Sequence, residues 1–482
     1  MAPTRDELLS FDVAALGPKL RDREISPVEL AEAYLDQIER TDHKLKAYIT
    51  VTADVARKAA RKAEQEIAAG KWRGPFHGIP VALKDLCYTK GIATTGGSKI
   101  LADFKPTHDC TVWTRLQRAG AVLLGKLNLH EFAYGITSSN PHWGFVRNPY
   151  DLERIPGGSS GGSAAAIVAR SAAATIGTDT GGSIRIPAAL CGCIGLKPTW
   201  SRVSRHGVLP LAYTMDHVGP ITRSVRDAAL MLSVIAGHDR SDSTSSRERV
   251  ADYTKDLDAG IAGMKIGIVR ELTNDLSPDV QESFEAAATR LRDLGAQVDE
   301  VTIPSLPLSG IINGIITWAE ATEIHQRWMA TRAQDYGDDV RRLLEVGMMI
   351  PAGAYVRAQR ARARVLADAM NALGDRDALI APGAGIPAPR IGSTRRLDAD
   401  TGAVDVISGI LRFTSPFDVT GQPAISVPTG LSGEGLPTAM QIVGRPFAEA
   451  TILRIAQAYE QSRGALPAPR SIETWKNLPA PH

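Results

Sequence analysis

Cysteine is scarce in this chain, with four residues in 482: Cys87, Cys110, Cys191 and Cys193. Four thiols cannot staple a chain of this length, and Cys191 and Cys193 stand too close together for an ordinary bridge. A disulfide scaffold is excluded, and a reducing cytoplasm is the expected setting. No apolar run approaches the ~20 residues needed to cross a bilayer. The opening MAPTRDELLSF also lacks the basic-then-apolar order of a signal peptide. Neither sign of charge dominates, because 55 Lys and Arg stand against 53 Asp and Glu, for a formal net charge of +2. Such a balance carries no electrostatic footprint of a nucleic acid or an anionic membrane, so neither is expected as a partner. Metal-binding patterns are missing too. His130-Glu131 opens like a zinc-protease helix, but Tyr134 stands where the second histidine is needed. Gly120 to Lys126 repeats the start of a phosphate loop, yet its interior reads as strand and Leu127 replaces the hydroxyl residue that would meet Mg²⁺.

What the chain does have is enough apolar content, 44%, for a large core, and an alternation of helix and strand signals. Ser26-Pro27 reads as the cap and first residue of a helix through VELAEAYLDQIERTD. An alanine-, lysine- and glutamate-rich helix follows from about Thr52 to Ala69, ending before Gly70. Gly78 to Leu86 is then a nearly continuous apolar run, the mark of a strand covered on both faces. Thr111 to Ala119 reads as helix and Ala121 to Leu124 as strand, and the alternation resumes at Ala164–Gly177, Lys265–Val269, Phe284–Leu294 and Ala378–Ala381. The fold class is α/β with a large, mainly buried sheet. There is no internal repeat. Asp239–Ser246 and Pro382–Thr401 are polar or Gly/Pro-rich and read as surface excursions, and the proline-containing tail as a segment that is mobile or laid along the surface.

The chemistry concentrates between Gly157 and Pro198, where Ser159 and Ser183 occupy separate glycine-rich turns. A serine flanked by glycines stands clear of neighbouring side chains, and the bare backbone beside it can aim N–H groups at a developing oxyanion. Gly157 to Gly161 also fits the G-x-S-x-G elbow of α/β-hydrolases, but Asn148–Pro156 before it reads as loop where that motif needs a strand. Ser183 is better placed, after a buried strand (Ala172–Gly177) and a tight loop, with the N–H groups of Thr180 to Ser183 able to converge on a carbonyl oxygen. A serine needs a base, and no histidine is tied to these turns by any local pattern. A buried lysine can serve, because burial disfavours its ammonium form. Lys84, in the apolar strand, is the candidate; strand parity turns Asp85 to the opposite face, where it cannot pair with Lys84. The competing reading is a lysine that snorkels from the strand end to water.

GIPVALKD, PGGSSGGSAAA and GTDTGGSIRIPAALCGCIGLKPT occur in the order and spacing of the amidase signature family, the Ser-Ser-Lys hydrolases, and the chain resembles that family. SRVSRHGVLP, DHVGPITRSVRDAA, FTSPFDVTGQPAISVPTG and GLPTAMQIVGRPF extend the resemblance over nearly the whole chain. Residues from about 240 to 405 carry few of its marks. The resemblance implies one domain over residues 1–482 built on a central mixed β-sheet covered by helices. Its catalytic core spans about 75–235, a variable substrate-pocket region about 240–405, and the C-terminal part of the core about 406–465. It implies Lys84 as the base, Ser183 as the acyl-forming nucleophile, and Ser159 as a bridging serine after a cis peptide. Thr180, Gly181, Gly182 and Ser183 become the oxyanion loop, and Tyr134, Thr137 and Ser138 line the acyl pocket. The implied activity is hydrolysis of a carboxylic amide C–N bond through an acyl-enzyme on Ser183, extending to esters or carbamates, with no metal or organic cofactor. The expected partner is a small-molecule amide, with no nucleic acid and no membrane, in a protein whose family likeness allows a homodimer. The alternative is the glutaminase (A) subunit of a tRNA-dependent amidotransferase, which AGHDRSDSTSS and SRVSRHGVLP resemble; HEFAYGITSSNPHWGFVRNPYD is more similar to free-standing amidases.

Overall fold

Ser26 Oγ accepts the N–H groups of Val28 and Glu29, at 3.0 and 3.3 Å, and Pro27 opens the helix Pro27–Leu45 with a residue whose missing N–H would have had no helical partner. The next helix, Ala53–Ala68, buries Ala56, Ala60, Ala63 and Ile67, a stripe at helical spacing that packs on the first helix and on a strand below it. The computed structural model describes residues 4–393, 395–398 and 402–469. The chain beyond 469, with most of the tail expected to be mobile or laid along the surface, falls outside them.

The central sheet is built from β1 (Tyr48–Val51), β2 (Pro80–Lys84), β3 (Val122–Leu127), β4 (Ala174–Asp179), β5 (Ile194–Lys197), β6 (His217–Thr222), β7 (Lys265–Val269), β8 (Gln297–Val301) and β9 (Ala378–Pro382). After a separate hairpin of β10 (Arg395–Asp398) and β11 (Gly402–Asp405), β12 (Ala424–Leu431) and β13 (Pro437–Val443) complete it. Eleven strands form one mixed sheet in the order β1-β3-β2-β4-β6-β5-β12-β13-β9-β7-β8. The sheet is parallel at β3-β2-β4 and at β9-β7-β8, and antiparallel elsewhere. Strands β7, β8 and β9 come from the stretch with few family marks, so that region supplies part of the sheet as well as helices.

Parallel strands are covered on both faces, which explains why β2 and β4 are buried at every position. Their register, Leu83 opposite Ile176, brings the two carboxyl ends side by side. Lys84 ends β2, and Thr178-Asp179 end β4 just before the Thr180–Ser183 turn. The carboxyl ends of parallel strands are where α/β sheets hold their ligands. Residues 382–389, expected in a surface excursion, are buried instead. Gly383 N donates to Ala439 O of β13 at 2.7 Å and Gly385 N to Gly409 O of the helix Ser408–Val419 at 2.9 Å, so this stretch runs on from β9 into the interior.

Candidate active site

Lys84 is fully buried, and its Nζ lies 2.7 Å from Ser159 Oγ and 2.8 Å from Thr178 Oγ1. It does not snorkel. Burial lowers its pKa to about 7, against the opposing pull of Asp179, Cys87 and Asp216. Asp85 does face away, as strand parity requires, and pairs with buried Lys126 at 2.8 Å while its other oxygen accepts Thr95 N and Oγ1 at 2.8 and 2.6 Å. The nearest carboxylate in sequence is therefore spent elsewhere, and among the described residues Lys84 has no salt bridge to hold its proton.

The Ser159 turn is tied down from three sides. The Gly158–Ser159 peptide is cis. Ser138 Oγ, on the loop before it, donates to Gly157 O at 2.9 Å and accepts Gly161 N at 3.1 Å, and His130 N donates to Ser159 O at 3.1 Å. Ser160 Oγ accepts Thr178 N at 3.3 Å, joining the turn to β4. The helix that follows, Gly161–Val168, can sit this deep because its first positions are small: a Cβ on Gly162 would stand 2.3 Å from Asn128 O.

Ser183 enters the same place from β4. Its carbonyl accepts Ser160 N at 3.3 Å, so the two serine turns touch, while its own hydroxyl has no hydrogen-bond partner among the described residues. Lys84 and Ser159 are thus joined directly, and Ser183 is brought beside them with its hydroxyl free to turn. Among the described residues the N–H groups of Gly181, Gly182 and Ser183 have no acceptor either. Gly182 sits at φ +138°, and a Cβ there would meet Thr414 Oγ1 at 2.1 Å, so the position requires glycine.

Under the turn lies a buried charged network. Arg185 Nη2 lies 3.1 Å from Asp179 Oδ1 and 2.6 Å from Asp418 Oδ2, and Asp179 Oδ2 also accepts Ile184 N at 3.0 Å. Burial alone would raise both carboxyls; Arg185 holds Asp179 well below its usual range, while Asp418, buried beside Asp179, is pushed up. His217 Nδ1 donates to Asp179 O at 3.1 Å, which leaves Nε2 to accept from Lys197 Nζ at 3.2 Å. Burial and Lys197 keep this imidazole neutral by lowering its pKa. These contacts anchor both ends of the turn without entering it.

The three pocket candidates fall differently. Ser138 spends its hydroxyl on the Ser159 turn and is fully buried. Thr137 Oγ1 lies 3.2 Å from His130 Nδ1, and His130 Nε2 lies 2.9 Å from Asp339. Tyr134 is packed with Leu86, Phe132 and Tyr336, and its hydroxyl has no partner among the described residues. A cleft of about 340 Å³ opens against Thr178, Leu86, Ala133 and Asp216, so a small molecule can come within one side chain of the Lys84 amine. Sequence reasoning missed Thr178, the second partner of Lys84, and Asp216, whose Oδ1 accepts Thr180 Oγ1 at 2.6 Å. Asp216 opens DHVGPITRSVRDAA and Thr178 is the second residue of GTDTGGSIRIPAALCGCIGLKPT, both stretches the resemblance already singled out, so a signal was there for each.

The Amidase family model matches residues 29–453. The A subunit of the glutamyl-tRNA(Gln) amidotransferase of Geobacter metallireducens is 43% identical over 481 residues, 95% of this chain and 98% of that protein. The crystal structure of the corresponding A subunit from Thermotoga maritima matches with a TM-score of 0.79 at 35% identity, over 96% of this chain and 98% of that one. A chain of the vestigial protein complex that reveals the evolutionary origins of an s-triazine catabolic enzyme matches with a TM-score of 0.89 at 34% identity, over 93% of this chain and 98% of that one. The relatives named for glutamyl-tRNA(Gln), each one component of a larger enzyme, overturn the expectation of a small-molecule amide as sole partner with no nucleic acid. The charge argument behind that expectation failed for a physical reason: net charge sums over the whole surface and is blind to a partner brought in by other subunits. With the family model covering most of its length, this chain belongs to the amidase signature family.

Proposed function

We propose that the chain cleaves a carboxamide C–N bond through an acyl-enzyme on Ser183, as the A subunit of a glutamyl-tRNA(Gln) amidotransferase. Its substrate would be a linear amide, the side chain of glutamine, and the ammonia released would be passed on to the glutamate carried by tRNA. One observation carries the chemistry: Lys84 Nζ lies 2.7 Å from Ser159 Oγ in a fully buried setting. The near end-to-end relatedness to the A subunits of such enzymes supports the assembly.

In this reading the neutral Lys84 amine accepts the Ser159 proton as Ser159 takes that of Ser183, whose Oγ attacks the amide carbonyl. The N–H groups of the Thr180–Ser183 turn hold the oxygen as it becomes negative. The proton returns through Ser159 to the leaving nitrogen, the C–N bond breaks, and ammonia departs. Water, deprotonated by the same route, then cleaves the acyl ester and restores Ser183. The touching serine turns, with a Ser183 hydroxyl that has no hydrogen-bond partner among the described residues, support this path.

The pH dependence follows from the amine. A protonated Lys84 cannot accept, so kcat/KM should rise with pH, bend near about 7, and level off above it. Below the bend the rate should fall about tenfold per pH unit. Steady-state rates on a simple carboxamide, measured on both sides of the bend, check this; a rate flat from neutral to acid pH would contradict it.

The assembly is tested by combining the purified chain with the other amidotransferase subunits, glutamine and glutamyl-tRNA(Gln). Glutamine-dependent amidation of the tRNA-bound glutamate is expected. With Ser183→Ala the same mixture should use ammonium chloride and not glutamine. Hydrolysis of simple amides by the chain alone, with no amidated tRNA from the assembly, would contradict the amidotransferase reading and leave the acyl-enzyme chemistry standing.

A further inference from the structure

A glycine-rich turn is a poor oxyanion site unless something fixes its peptide planes, because glycine allows either face of a peptide to turn inward. A carbonyl turned inward would repel the very charge that the turn is meant to hold. In a planar trans peptide the C=O of one residue and the N–H of the next point in opposite directions. Anchoring a carbonyl therefore aims the following N–H.

Two carbonyls of this turn are anchored, each by a side chain from a distant element. Asn313 Nδ2, in the helix Ser309–Arg332, donates to Thr180 O at 3.0 Å. Thr414 Oγ1, in the helix Ser408–Val419, donates to Gly181 O at 2.6 Å. Both side chains are buried, with exposures of 6% and 0%, so water offers neither carbonyl an easy substitute. The N–H groups that follow, of Gly181 and Gly182, face away from Asn313 and Thr414 and have no acceptor among the described residues. The ends of the turn are held separately, at Thr180 Oγ1 by Asp216 and at Gly182 O by Ile186 N at 2.6 Å.

We infer that Asn313 and Thr414 are positioning residues that set the oxyanion donors of Gly181 and Gly182 by clamping the two carbonyls behind them. One clamp is supplied by the region with few family marks and the other by the C-terminal part of the core, so the donors are in place only when both reach the turn after β4. The inference rests on the acyl-enzyme reading of Ser183.

The test needs no knowledge of the natural amide. A fluorophosphonate reacts with an activated serine through a pentacoordinate phosphorus whose oxygen gains negative charge; the serine Oγ–P bond forms, fluoride leaves, and the serine proton goes to the base. The second-order rate of Ser183 labelling, located by peptide mapping, is measured against pH in the intact chain. Thr414→Val and Asn313→Leu keep size and remove the donor. Each should lower the labelling plateau about tenfold or more, less than the loss expected for deleting a direct donor. The bend of the pH profile should stay in place, because the lysine relay is untouched, and Thr414→Ser should recover the parent rate. Folded Thr414→Val and Asn313→Leu proteins that label at the parent rate would overturn the clamp. Should Thr414→Val fail to fold, Thr414→Ala against Thr414→Ser makes the same comparison, and equal rates overturn it. A parent protein not labelled at Ser183 would overturn the acyl-enzyme reading, and the clamp with it.

Discussion

Ser183→Ala is expected to abolish amide hydrolysis, with kcat falling on the order of 10⁶-fold, the loss seen when a serine nucleophile is removed from a preorganised site. The size of the effect follows from the absence of a substitute. Ser159 is held 2.7 Å from Lys84 and anchored through its carbonyl, so it cannot move up to replace the attacking oxygen. Thr180 has its hydroxyl engaged by Asp216 at 2.6 Å. The fold should not notice the change, since the Ser183 hydroxyl makes no hydrogen bond among the described residues and its Cβ remains to pack. A loss of turnover with an unchanged melting temperature is the expected pair of results. A folded Ser183→Ala protein with normal turnover would remove the nucleophile assignment.

Lys84→Met is expected to cost about 10³- to 10⁴-fold in kcat, near the upper end of what a general base contributes. Methionine matches the length of the side chain and removes only the amine. Burial is what depresses the lysine pKa, so taking the amine away relieves a desolvation cost and leaves the Ser159 and Thr178 hydroxyls to each other. Stability should therefore hold or rise while the rate collapses, which separates a catalytic amine from a structural one. The pH profile supplies the second readout: residual turnover should lose its bend near about 7. A variant that keeps the bend would show that another group titrates there. Lys197 is the rival to consider, because burial brings its pKa to about 7 as well. Its Nζ, however, donates to Pro198 O at 3.3 Å and to Gln422 O and meets His217, and it touches neither serine.

The features legible in the sequence were those coded locally. A lone lysine in an apolar run, the parity that sends Asp85 to the far face, and two serines in glycine turns are each properties of a few adjacent residues, and the structure shows Lys84 and Ser159 in contact with Ser183 alongside. The helix over Pro27–Leu45 was equally local, with its cap and first residue written as Ser26-Pro27. What escaped was long-range. Thr414 reaches the Thr180–Ser183 turn from 233 positions away and Asn313 from 133, and no periodicity or motif connects such pairs. Ser138 reads as a pocket residue only through the family resemblance of its segment; its hydroxyl is spent on the cis turn, a contact no local pattern announces. The stretch 382–389 read as surface because Gly and Pro dominate it; in the fold those residues let backbone pack on backbone at the end of β9, where larger side chains would not fit.

Catalysis by this chain turns on a covalent bond to one oxygen. The most direct measurement is to quench the chain during turnover of an amide or its more reactive ester, weigh the intact protein, and map the added mass. An acyl adduct on the peptide bearing Ser183, absent from Ser183→Ala and slow to form in Lys84→Met, is the predicted result. Turnover with no adduct on that peptide, or an adduct that persists in Ser183→Ala at the parent level, would contradict it.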